Sequence, residues 1–148
     1  MGLFPANSPV YSDLVLVVEI AIAAMLVVGM FVARTGRIRV HMYLQSSMVL
    51  VNLPVVLSWM VPQYLTYVLP GLPREIGDPV YLFPTVMLVL GAAAESIGVY
   101  ILLVAVTNWI PERIRFRNYK LWMRGELVLW WSVLVFGFST YYIWYVPS

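Results

Sequence analysis

Cysteine is absent from the 148 residues. That excludes disulfides, thiolate nucleophiles and cysteine-held metals. Histidine occurs once, as His41, so the chain alone supplies neither a bis-histidine haem site nor a three-histidine metal site. Charge is scarce as well: Asp, Glu, Lys and Arg make up 11% of the residues. A soluble domain of this length needs far more polar surface. No glycine-rich phosphate loop, His-Glu-x-x-His or Ser/His/Asp set in a credible context is present. Neither an internal repeat nor a low-complexity segment divides the chain.

What fills the sequence is apolar: 62% of residues are hydrophobic and the mean hydropathy is +0.87. The expected class is an all-α integral membrane protein, a four-transmembrane-helix bundle forming a single membrane domain over 1–148. A crossing helix needs about 20 apolar residues, and four segments qualify: 14–33, 40–60, 80–106 and 127–146. The third is the longest. The first has no basic residue ahead of it and is too long for a signal core, so it reads as a retained span. The apolar runs are continuous, not alternating, which argues against barrel strands.

The loops set orientation. Arg34, Arg37 and Arg39 lie between the first two spans, and Arg113, Arg115, Arg117, Lys120 and Arg124 between the last two. Arg74 alone lies in the middle loop, against Glu75 and Asp78. Positive charge favours the cytoplasmic side, so both basic loops are expected inside and both termini outside. With His41 and Glu126 they form a candidate cytoplasmic interface, suited to anionic lipid headgroups. Gly36 gives the first turn its backbone freedom. Tyr and Trp cluster near both boundaries, as in an interfacial belt. The middle loop, with Pro62, Pro70, Pro73 and Pro79, is expected to be ordered but irregular. In the second basic loop, Pro111 suits the start of a short interfacial helix. Nucleic acid is not an expected partner, because a basic juxtamembrane loop is expected anyway.

Three polar residues lie inside apolar spans: Glu19, Asn52 and Glu95. Their depths from the cytoplasmic ends are about 21, 18 and 17 Å at 1.5 Å per residue, so they are expected to meet as one buried polar cluster. Intramembrane carboxyls face protein or water rather than lipid. A structural polar contact is the plain reading; proton handling, metal binding or contact with another subunit are the others. Gly91, Ala94 and Gly98 around Glu95 give a close-packing face, and Pro54 is expected to kink the second span. His41, at the cytoplasmic mouth, is read as a headgroup or water contact, with metal or haem ligation or a hydrogen bond to Glu126 as alternatives. Met25, Met30, Met48 and Met87 read as packing.

The stretch RTGRIRVH, Arg34 to His41, resembles the basic turn between the first two helices of the CtaM-like family. These are small four-helix membrane proteins linked to maturation of haem–copper oxidase. DPVY, Asp78 to Tyr81, resembles their entry into the third helix, and RFRNYKLW, Arg115 to Trp122, falls at their second cytoplasmic turn. The family pattern has several histidines, of which only His41 has a counterpart here. The resemblance therefore implies a scaffold more than a redox centre.

The expected function is that of a non-catalytic accessory subunit in a larger membrane redox complex, a terminal oxidase or membrane monooxygenase. Its partners would be other integral membrane subunits, in the cell membrane, and structural lipid would be its ligand. No cofactor is expected on this chain alone. An assembly factor for a haem–copper oxidase is the alternative, and a small proton- or ion-handling protein using Glu19 and Glu95 is the second.

Overall fold

The computed structural model describes residues 10–146, and among them four long helices account for most of the chain. These are α1 (Val10–Arg34), α2 (Ile38–Val68), α4 (Pro79–Val106) and α5 (Tyr119–Tyr145), with a one-turn α3 (Leu72–Glu75) between α2 and α4. All four long helices are long and apolar enough to cross a membrane. No strand occurs among the described residues.

Local chemistry sets the boundaries. α1 stops at Gly36, whose φ of 77° lies in the left-handed region. Gly36 N–H then donates to Ala33 O at 3.1 Å and Arg37 N–H to Val32 O at 3.2 Å. This pair of bonds is the Schellman closure, which satisfies carbonyls that the helix end would leave open. Asp78 opens α4 by accepting from Val80 N–H at 2.9 Å, with Pro79 in the first turn. Asn118 opens α5 by accepting from Leu121 N–H at 3.3 Å.

The sequence predicts that the second helix ends near residue 60 and that the third is longest. Instead α2 runs on to Val68 and has 31 residues against 28 in α4. Its prolines do not stop it. π-helical turns at Val56–Met60 and Tyr64–Val68 follow Pro54 and Pro62, each starting two residues after the proline. Val61 N–H reaches Val56 O, and Leu69 N–H reaches Tyr64 O at 2.9 Å. A proline ring crowds the carbonyl four residues back, and a wider turn takes up the mismatch. At about 46 Å, α2 exceeds a hydrocarbon core of about 30 Å.

The second basic loop also differs from expectation. α5 starts at Tyr119 rather than 127, and the loop holds one 3₁₀ turn, Glu112–Ile114, in place of an interfacial helix. Aromatic contacts hold the rest extended against the bundle. Tyr100 OH donates to Ile114 O, and Phe116 stacks on Trp122 with centroids 5.3 Å apart. Tyr119 meets Phe116 edge-on at 4.7 Å.

α4 packs most extensively on α5, and α1 on α2; α1–α5 and α2–α4 contacts close the ring. Every long helix contributes to the core: Ile22 and Leu26, Met48 and Val49, Ala94, and Trp130 and Leu134. The outward faces are apolar too, with Val28, Leu50, Val89, Val128 and Val135 exposed. Hydroxyls on these faces are spent locally. Ser58, Ser96, Ser132 and Ser139 each donate to the carbonyl four residues back, which leaves little polarity to meet an apolar surrounding. At the end away from the basic loops, Ser12 Oγ donates to Tyr145 OH at 2.9 Å, so the first and last described turns lie together.

Candidate functional site

Helical periodicity gives each long helix one inward stripe. On α1 it includes Leu16, Glu19, Ile22 and Leu26; on α5 it is Glu126, Trp130, Leu134 and Gly137. Glu95 lies on the corresponding stripe of α4 with Ala94 and Gly98. The three carboxyl side chains are 9%, 7% and 8% exposed for Glu19, Glu95 and Glu126. They therefore point into the bundle rather than toward its apolar exterior.

Of the predicted trio, Asn52 and Glu95 are joined. Asn52 Nδ2 donates to Glu95 Oε2 at 3.0 Å across α2 and α4. Glu95 Oε1 is buried with no hydrogen-bond partner among the described residues. Glu19 lines the same cavity, about 240 Å³, but is not hydrogen-bonded to either of them. Its carboxylate instead rests on α5 at Gly137, where a Cβ would lie 2.6 Å from Oε1 and 2.8 Å from Oε2. The expected contact is thus a bonded pair with a third carboxyl along the same cavity.

Glu126 adds a further buried carboxyl. Expected in the cytoplasmic interface, it is buried, because α5 begins before the apolar run and carries it two turns into the helix. Oε1 accepts from Trp130 Nε1–H at 2.8 Å, and Oε2 is buried without a partner among the described residues. It lies against α4: a Cβ at Gly98 would be 3.0 Å from Glu126 Oε1. Gly98 is one turn from Glu95 on the inward stripe of the same helix, so the Glu126 carboxyl packs on α4 one turn from Glu95. The Glu126/Trp130 spacing of four residues was the available signal, since i and i+4 share a helix face. Asp13, at the head of α1, was also missed; it is buried and accepts from Tyr141 OH at 2.7 Å.

The cavities follow the same line. Glu19 lines both a cavity of about 110 Å³ near Ser12 and Tyr145 and the central one. Trp130 lines both the central cavity and two at the basic end, of about 190 and 530 Å³, whose walls include Glu126. The carboxyls of α1, α4 and α5 thus line neighbouring spaces that share wall residues. Among the described residues, no three His, Cys, Asp or Glu side chains converge as a metal site.

The basic residues divide into groups. His41 does not bond Glu126: its Nδ1 lies 2.9 Å from Gly29 O. A carbonyl only accepts, so Nδ1 carries the proton and donates. Arg34, Lys120 and Arg124 line the 530 Å³ cavity with His41. Arg115 turns back onto the end of α4, donating from Nη2 to Thr107 O at 2.9 Å. Arg37, Arg39, Arg113 and Arg117 are exposed. No family model, curated protein or solved structure matches the chain.

Proposed function

We propose that this chain is a multi-pass protein of the cell membrane that binds and passes protons in its interior, as a non-catalytic accessory subunit of a larger membrane redox complex. The supporting observation is the Glu95–Glu126 pair, two buried carboxyls on facing helices, each with an oxygen lacking a partner among the described residues. A carboxyl takes up and releases a proton without leaving its place, and neighbouring ones hand it on. Glu19 extends the series toward the opposite end. Ionisable residues inside membrane spans are rare and costly, and proton relays are among the roles they mark.

In this reading the basic loops face the cytoplasm, following the charge bias, and both chain ends lie outside. Four spans are too few for a complete alternating-access transporter, which favours a subunit role. The likeness of the Arg34–His41 turn to the CtaM-like family supports a redox complex as host.

Two measurements test the reading. Full-length protein in liposomes under a pH gradient should carry protons faster than protein-free liposomes. Glu95→Gln and Glu126→Gln should each slow that flux at least tenfold. Flux equal to protein-free liposomes, or unchanged in both variants, rejects proton passage. Tagged protein taken from native membranes should bring down a mature redox complex at fixed stoichiometry. Association with immature enzyme alone would make it an assembly factor.

A further inference from the structure

The cavity at the basic end has a volume of about 530 Å³, within the range of about 300–1,000 Å³ usual for small-ligand sites. It is amphipathic. Arg34 at the end of α1 and Lys120 and Arg124 on the first turns of α5 stand in its wall, all exposed. Met30 and Leu127 supply apolar wall. Its one carboxyl, Glu126, is buried and takes the Trp130 hydrogen bond. Three cations therefore face one acid held deep in the bundle.

Two of those cations are unfavourably placed for the helix itself. Lys120 and Arg124 are four residues apart on one face, where like charges repel. Lys120 also lies in the first turn of α5, where the helix dipole disfavours positive charge. An anion between them and Arg34 relieves both effects.

We propose that this cavity binds the headgroup of one anionic phospholipid, with its phosphate among Arg34, Lys120 and Arg124 and its first methylenes along Met30 and Leu127. Charge complementarity selects the headgroup, and the apolar wall selects a lipid over a free anion. The site requires that the helices cross a membrane and is independent of proton passage.

The test uses the full chain, delipidated in a neutral detergent. Phosphatidylglycerol should raise the thermal midpoint by several degrees and remain bound one-to-one in native mass spectrometry. Phosphatidylcholine and inorganic phosphate at matched concentration should do neither. The triple variant Arg34→Gln/Lys120→Gln/Arg124→Gln should bind phosphatidylglycerol at least tenfold more weakly, and Arg124→Gln alone at least threefold. Arg113→Gln/Arg117→Gln, outside the cavity wall, should bind as the parent does. Equal stabilisation by phosphatidylcholine, a full effect from inorganic phosphate, or equal loss in the Arg113/Arg117 variant overturns the proposal. Unchanged binding in Arg124→Gln does so even where the triple variant fails to fold.

Discussion

Asn52 Nδ2 donates to Glu95 Oε2 at 3.0 Å, while the other oxygen of the same carboxyl is buried without a partner among the described residues. One half of Glu95 thus ties α2 to α4, and the other half is left without a bond among the described residues. Substitutions separate the two. Glu95→Gln keeps an acceptor for Asn52 and should change unfolding free energy by less than about 0.5 kcal/mol. Glu95→Leu leaves the Asn52 amide unpaired; interhelical bonds in membranes average about 0.6 kcal/mol, so a loss near 1 kcal/mol is expected. Both should stop proton exchange at this position. Unfolding in mixed detergent, alongside flux in liposomes, gives the two readings. A Gln variant as unstable as Leu would mean that the charge holds the fold.

Glu19 and Gly137 are a close-approach pair between α1 and α5. A methyl at residue 137 would meet the Glu19 carboxylate at 2.6 to 2.9 Å, so the flexible end of that side chain must swing aside into the cavities that Glu19 lines. Gly137→Ala should cost about 1 kcal/mol, the low end for overpacking. In a Glu19→Ala background the cost should largely vanish, giving a coupling of at least about 0.5 kcal/mol. Additive effects in the double-mutant cycle would show that the two side-chain positions are energetically independent.

The number of long helices was legible because length and continuous hydrophobicity decide whether a helix can cross lipid. The depth of Asn52 and Glu95 was legible for the same reason, since rise per residue converts sequence position into height. Rotation about each axis was not. Glu19 faces Gly137, away from hydrogen-bonding contact with Asn52 and Glu95, and depth alone carries no such information. The burial of Glu126 follows from a helix that starts before the hydropathy boundary, since Asn118 caps α5 well before the apolar run. α2 outruns its expected end near residue 60 because π turns carry it past Pro54 and Pro62, and such turns have no plain signature in composition.

Gly36 is held at φ 77° by the closure of α1. Side chains with a Cβ pay about 1–2 kcal/mol in this region, and asparagine tolerates it better than most. Gly36→Ala should lower stability by about 1 kcal/mol and Gly36→Asn by less. Equal unfolding free energies for the parent and the Ala variant would show that the turn relaxes to another conformation at no cost.

Because the chain lacks cysteine, single-cysteine variants report topology without background. Thr35→Cys and Arg117→Cys lie at the basic end; Gly77→Cys lies in the opposite connection, where an added Cβ meets nothing within 4 Å. In intact cells an impermeant thiol reagent should label residue 77 and spare residues 35 and 117 until the membrane is opened. The reverse pattern would invert the orientation and move the Arg34, Lys120 and Arg124 cavity to the outer leaflet.

The Trp130–Glu126 bond yields an unequal pair of effects. Trp130→Phe removes the Nε1–H donor, so Oε1 joins Oε2 as a buried oxygen without a partner among the described residues. An orphaned buried polar group costs about 1–3 kcal/mol, and the lost ring volume at a residue 3% exposed adds to this. Glu126→Leu removes both oxygens, including the one already unpaired, and orphans only the indole N–H. It should therefore destabilise less than Trp130→Phe, despite deleting a carboxyl. In the double variant, Trp130→Phe should cost only its packing, giving a coupling near 1 kcal/mol. Unfolding of the two single variants and the double variant in one detergent mixture supplies the comparison. If Glu126→Leu proves the more damaging, Oε2 has a partner in the membrane, and Glu126 serves the fold rather than standing free to take a proton from Glu95.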